Sequence, residues 1–179
     1  MRLRRHLHLH LRPYMLALLY LATGTTVGSA AQRLVRGEYR NPSLGYSVTL
    51  QPGLTGVTGD QAGPERGIRV SLPTGGTVSV YGEPNSLEWK TPAEGIRGEL
   101  VNERCARERQ EILPIRVGRL KGAKGRLVCG DRAVVILLAF RPGGGPIYFL
   151  RLDSTRRGED RDITILRGSA GTFKLIPWE

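Results

Sequence analysis

Strict alternation of apolar and polar residues marks the first half of the chain. Tyr46-Ser47-Val48-Thr49-Leu50 and Ile68-Arg69-Val70-Ser71-Leu72 each put every second side chain on one face, the period of a half-buried strand. Thr77-Val78-Ser79-Val80-Tyr81 repeats the pattern after Pro73-Thr74-Gly75-Gly76. That turn composition predicts a hairpin. Glu38 to Arg40 is expected to pair with the 46–50 strand across Asn41-Pro42-Ser43-Leu44-Gly45. Residues 31–37 read as a short leader, and the glycine-rich stretch Pro52 to Gly67 reads as a loop.

The period changes at Thr91. Thr91 suits a helix N-cap, Pro92 the first helical position, and Glu94 completes a capping box. Ile96, Leu100 and Cys105 keep an inward face through about Glu108. Gly95 and Gly98 each weaken such a helix by about 1 kcal/mol relative to alanine. Glycine at those positions suggests close packing on a sheet. Strands follow at Gln110 to Val117, Lys124 to Cys129, Ala133 to Phe140 and Ile147 to Asp153. Pro114 assigns the first of them to an edge or a bulge. Ala133 to Phe140 (AVVILLAF) is continuously apolar and must be covered on both faces. Asp160 to Ser169 reads as a short helix with acids at its start, where the helix dipole favours them. Phe173 to Trp178 closes the domain. The expected fold is α+β: a four-strand meander in an antiparallel sheet covered by helices, forming one domain over residues 38–179.

Residues 1–30 read differently. Arg2, Arg4, Arg5 and Arg12 precede a short apolar stretch from Tyr14 to Ala22, and Gly28-Ser29-Ala30 ends it with small residues. This is the layout of a secretory signal peptide. The stretch is too short for the roughly 20 residues that a membrane-spanning helix requires. Export is therefore expected, to the periplasm or beyond. Removing the segment takes the 27 basic residues to 23 against 16 acidic ones, a net charge of +7. It also removes His6, His8 and His10, every histidine in the chain. Cys105 and Cys129 remain, and an even count in an exported chain predicts one disulfide.

The layout resembles the PsbP-like α/β/α sandwich family. Similarity lies in Tyr39-Arg40-Asn41-Pro42 leading to Gly45-Tyr46-Ser47-Val48, in the strand-pair-then-helix order, and in Asp160, Ile163, Leu166, Ser169 and Phe173 near the end. The resemblance implies a non-catalytic accessory protein with an assembly or binding role.

Without histidine, the processed chain has no Ser-His-Asp or Cys-His nucleophile and no His-ligated zinc. No GxGxxG or GxxxxGK[ST] loop occurs, and two cysteines without CxxC spacing exclude thiol exchange of that type. No metal or cofactor is expected. Carboxylates are the remaining catalytic candidates: Glu83, Glu88, Glu94 and Asp131, in a small hydrolase. A basic concentration comprises Arg104, Arg107, Arg109, Arg116, Arg119, Lys121, Lys124 and Arg126. It suits an anionic membrane surface or envelope polymer, or is simply a solvated face with pairs such as Glu103–Arg107. Nucleic acid is not expected, because no aromatics are interleaved with the charges. Trp89, in the loop from Gly82 to Lys90, is either a partner-binding anchor or a staple onto the core. The leading expectation is an exported, non-catalytic protein that binds a protein partner.

Overall fold

The apolar run 133–140 lies inside a strand with neighbours on both sides and cover on both faces. The computed structural model describes residues 32–58, 67–103 and 111–177. Its strands are β1 (Arg33–Val35), β2 (Glu38–Asn41), β3 (Tyr46–Thr49), β4 (Gly56–Thr58), β5 (Gly67–Ser71), β6 (Thr77–Pro84), β7 (Glu111–Val117), β8 (Leu120–Cys129), β9 (Arg132–Phe140), β10 (Pro146–Thr155) and β11 (Lys174–Leu175). Helix α1 (Pro92–Asn102) stands between β6 and β7, and α2 (Glu159–Thr172) between β10 and β11.

An eight-stranded antiparallel sheet runs β1-β4-β5-β6-β10-β9-β8-β7. Side chains of β9 alternate across it. Val134, Ile136 and Leu138 meet Ile96 and Leu100 of α1 on one face. Val135, Leu137 and Ala139 meet Leu166 and Ala170 of α2 on the other. A three-stranded sheet, β11-β3-β2, shares the α2 face and adds Tyr39, Tyr46 and Val48 to that core. The layers are thus α1, the large sheet, and then α2 with the small sheet.

The hairpin β5–β6, the meander β7 to β10 and the starts of both helices stand where the sequence puts them. Strand β7 is an edge strand, as Pro114 requires. Three expectations need correction. Residues 33–35, assigned to a leader, form β1 on the edge of the large sheet. Residues 56–58, assigned to a loop, form β4 between β1 and β5. Gly56 is required there because the Ile68 side chain occupies the space of its Cβ. Finally, β2 and β3 do not extend the main sheet but make a second one with β11.

α1 ends at Asn102, short of the expected Glu108, and Glu103 has left the helical conformation at φ −73°, ψ 110°. The expected helical residues beyond it, Cys105 included, lie outside the described residues. Among the described residues no helix is long and apolar enough to cross a membrane.

Candidate functional site

On the α1 side, strands β5, β6 and β10 carry polar side chains where the inner positions of β8 and β9 carry apolar ones. Arg69, Ser79 and Arg151 stand in register across three strands. Helix α1 lies over β7, β8 and β9, leaving these positions half-exposed. Arg151 donates from Nε to Asp153 at 2.7 Å and pairs through Nη2 with Glu103 at 2.6 Å. Arg132 donates to Glu103 at 3.0 Å and also pairs with Asp153. Two guanidinium groups thus clamp two carboxylates and fix the end of α1 to the sheet.

Burial disfavours the Arg151 charge, but Asp153 and Glu103 outweigh it and hold the guanidinium protonated. Burial also opposes ionisation of Asp153. The hydrogen bonds from Arg151 and Arg132 win, and its carboxyl sits below the usual value. Nearby Glu99 is raised above the usual value, first by burial and then by the Glu83 carboxylate. Tyr81 is raised well above a normal phenol, by burial and then by Glu99. Its ring stacks on Phe149 at 4.9 Å between centroids. Arg151 and Asp153 sit two apart in a strand and so share a face, which was the only sequence signal of this cluster.

The basic residues singled out from the sequence do not share one face. Strand alternation puts Arg116 and Lys121, paired in register, on the α1 side, and Lys124 and Arg126 on the α2 side. Arg126 grips Glu159 in two parallel hydrogen bonds of 2.5 and 2.7 Å, so its charge is matched internally. Arg119 is exposed in the β7–β8 turn, where its carbonyl accepts from Arg116. Arg104, Arg107 and Arg109 lie outside the described residues, as does the Arg107 half of the expected Glu103–Arg107 pair. Glu103 itself reaches the sheet.

Trp89 is half-buried, and its indole lies against Gly95 and Gly98 of α1. A Cβ at either glycine would come within 2.8 Å of the ring. The Asn85 side chain closes the loop, donating to the Trp89 carbonyl at 2.8 Å and accepting from its N–H at 3.0 Å. The ring therefore staples the loop to the helix. The glycines explain themselves partly by this ring and partly by Leu138 of the sheet, which also crowds Gly95.

The candidate catalytic carboxylates do not form one group. Glu94 accepts from the Lys90 N–H at 2.8 Å while Thr91 accepts from the Glu94 N–H at 3.2 Å. Glu88 is exposed beside Lys90. Glu83 aligns with Ile147 and Phe140, whereas Asp131 adjoins Arg132 at the other end of β9. Eight strand residues separate those rows by about 26 Å, far beyond the 5 to 9 Å of a glycosidase pair. Among the described residues, no group of three or more His, Cys, Asp or Glu side chains is placed to hold a metal ion. Cys129 ends β8, half-buried against the α1-side core, and no described cysteine is a free thiol. Its expected partner Cys105 lies outside the described residues.

No family model and no curated protein matches the sequence. Among solved structures, the chain is similar to the solution structure of cyanobacterial PsbP (CyanoP) from Synechocystis sp. PCC 6803. Identity is 14% and the TM-score 0.54, over 87% of this chain and 98% of that one. A crystal structure from Bacteroides thetaiotaomicron VPI-5482 aligns at 9% identity and a TM-score of 0.38, over 78% of this chain and 48% of that one. The chain has a PsbP-like fold, mostly antiparallel sheet with two helices, and at 14% identity the likeness is one of fold.

Proposed function

We propose that this is an exported, non-catalytic accessory protein that acts by binding a protein partner. The observation that carries the reading is the near end-to-end fold match to cyanobacterial PsbP, which leaves almost none of that chain unaccounted for. The ionisable groups support it. Asp153 and Glu103 are committed to Arg132 and Arg151, Glu159 to Arg126, and Glu94 to a helix start. Glu83 and Asp131, in rows at opposite ends of β9, cannot share a substrate bond. The test is capture from an envelope extract with the tagged protein processed at Ala30. A partner that saturates and is displaced by untagged protein is expected. Recovery of none, or of material that untagged protein does not displace, overturns the reading.

Export rests on residues 1–30 and brings the Cys105–Cys129 bridge with it. The chain geometry supports that pairing. Glu103 already touches Arg132, which stands opposite Cys129 in the β8–β9 register. Cys105 is two residues further on, a reach of about 7 Å. Closing this loop would stabilise the fold by about 3 kcal/mol in the chain-entropy model. Intact mass of the native protein should show loss of residues 1–30 and two hydrogens fewer than the dithiol. An intact N-terminus with two alkylatable thiols would sink both.

A further inference from the structure

Leu120, Phe173 and Leu175 floor a groove of about 630 Å³ where the β7–β8 turn meets the end of α2 and β11. Exposed Arg119 and Lys174 rim it. The corner is rigidly built. Gly118, at φ 55°, donates its N–H to the Ala170 carbonyl at 2.7 Å, and its missing Cβ leaves room for the Phe173 carbonyl. Arg116 and Lys121, at the same hairpin end, stand on the opposite, α1-side face.

The charge here is of one sign. The residues that line the groove, 118–120, 171 and 173–175, include no aspartate or glutamate, and the acid of the adjoining small sheet, Glu38, pairs with Arg40. Among the described residues, the rim cations Arg119 and Lys174 pair with no acid, in contrast to Arg126, Arg132 and Arg151. Unmatched like charges on one rim repel each other, a cost that an incoming acidic group would relieve.

We propose that this corner is the docking surface for the partner, and that its occupant is an acidic peptide segment carrying an apolar side chain. The proposal rests on the partner-binding reading above. The rim cations match carboxylates, and the apolar floor takes an aliphatic or aromatic side chain, a combination that a sheet of phosphate headgroups does not supply.

The probe is a fluorescein-labelled octapeptide of Asp, Glu, Leu and Phe, with a control peptide in which Gln replaces every acid. Anisotropy would compare the unsubstituted protein, the corner variant Arg119→Gln/Lys174→Gln, and the distant basic variant Arg156→Gln/Arg157→Gln. The corner variant should weaken acidic-peptide binding by about tenfold or more, and the distant variant by less than about twofold. Leu175→Ser keeps every charge and should also weaken binding severalfold; circular dichroism checks that each variant stays folded. Equal loss in the corner and distant variants would reduce the effect to net charge and overturn the proposal. So would absence of peptide binding, or a corner variant that loses binding to phosphatidylcholine–phosphatidylglycerol vesicles but not to the peptide. If the corner variant still captures the native partner at full strength, the partner reading stands and this surface falls.

Discussion

Asp162 stands in the first turn of α2 with its side chain fully buried. Both of its oxygens accept from the Thr74 hydroxyl, at 2.6 and 2.8 Å, and one also accepts from Ser154. Thr74 belongs to the β5–β6 turn, so one carboxylate holds the tip of a hairpin to a helix 88 residues later. A buried anion is tolerated only while its hydrogen bonds persist. Asp162→Ala should therefore cost about 3 kcal/mol and Thr74→Val about 1 kcal/mol, read from urea midpoints. Glu99 acts in the opposite sense. Its folded pKa is raised above the ordinary 4.5, so the charged form is the one that folding disfavours. The penalty is absent below the unfolded pKa, grows as pH rises between the unfolded and folded values, and is complete above the folded one. Glu99→Gln should stabilise the protein at pH 7 by roughly 0.5 kcal/mol, since the site is partly solvated, and give no gain at pH 3. Asp153, held low by Arg151 and Arg132, stabilises above its unfolded value of 3.8 and loses that contribution as pH falls. Urea titrations of Asp153→Asn at pH 7 and pH 3 should show a larger cost at the higher pH.

Helix α1 shows how an element can be locally weak and still well placed. Two glycines weaken it, yet each is filled by a ring that arrives from the preceding loop. Beneath it, Gly125 of β8 admits Ile96 and Leu100, whose side chains occupy the space of its absent Cβ. Gly98→Ala should be destabilising in the native background, because the new Cβ meets the Trp89 indole at 2.8 Å. In a Trp89→Ala background the clash is gone and only helix propensity remains, so the same substitution should stabilise by about 1 kcal/mol. A sign reversal in that cycle, measured by thermal or urea unfolding, tests the packing directly. The helix start was legible because Thr91, Pro92 and Glu94 act on neighbours three residues away. The hairpin β5–β6 was legible because alternation and its turn are local. β4 was not, since Gly-Val-Thr has little strand signal and forms a strand only between two partners. The charged clamp was hidden for the same reason. Glu103, Arg132 and Asp153 come from a helix end and two strands, and only the register of the meander brings them together.

At the scale of the molecule the decisive feature is closure of the chain on itself. β3 and β11 pair although 129 positions separate Tyr46 from its partner Leu175. Tyr46 is sandwiched there, with Phe173 stacked at 5.4 Å and Tyr148 edge-on at 5.5 Å. Arg141 adds hydrogen bonds to the carbonyls of Gly45 and Ile176, while the Tyr148 hydroxyl donates to that of Leu44. Early, middle and late segments therefore meet in one aromatic cluster, and none of them can bury its rings alone. This is also why Tyr39-Arg40-Asn41-Pro42 and Phe173 could be noticed in the sequence as family-like landmarks without their joint purpose being visible. They are far apart in the chain and neighbours in space. Phe173 is nearly fully buried and contacts both tyrosines. Phe173→Ala should cost about 4 kcal/mol, within the range for truncating a buried aromatic. Since a domain of this size has about 5 to 15 kcal/mol in hand, the variant should remain folded but melt well below the parent. Removing residues 173–179 takes away β11 as well as the ring and frees the turn at Gly118, which packs on the Phe173 carbonyl. That truncation should leave no cooperative unfolding transition, whereas truncation at Ile176 should retain one. If both truncations melted cooperatively and alike, the cluster would be a peripheral ornament and the long-range closure would not be what holds the small sheet to the large one.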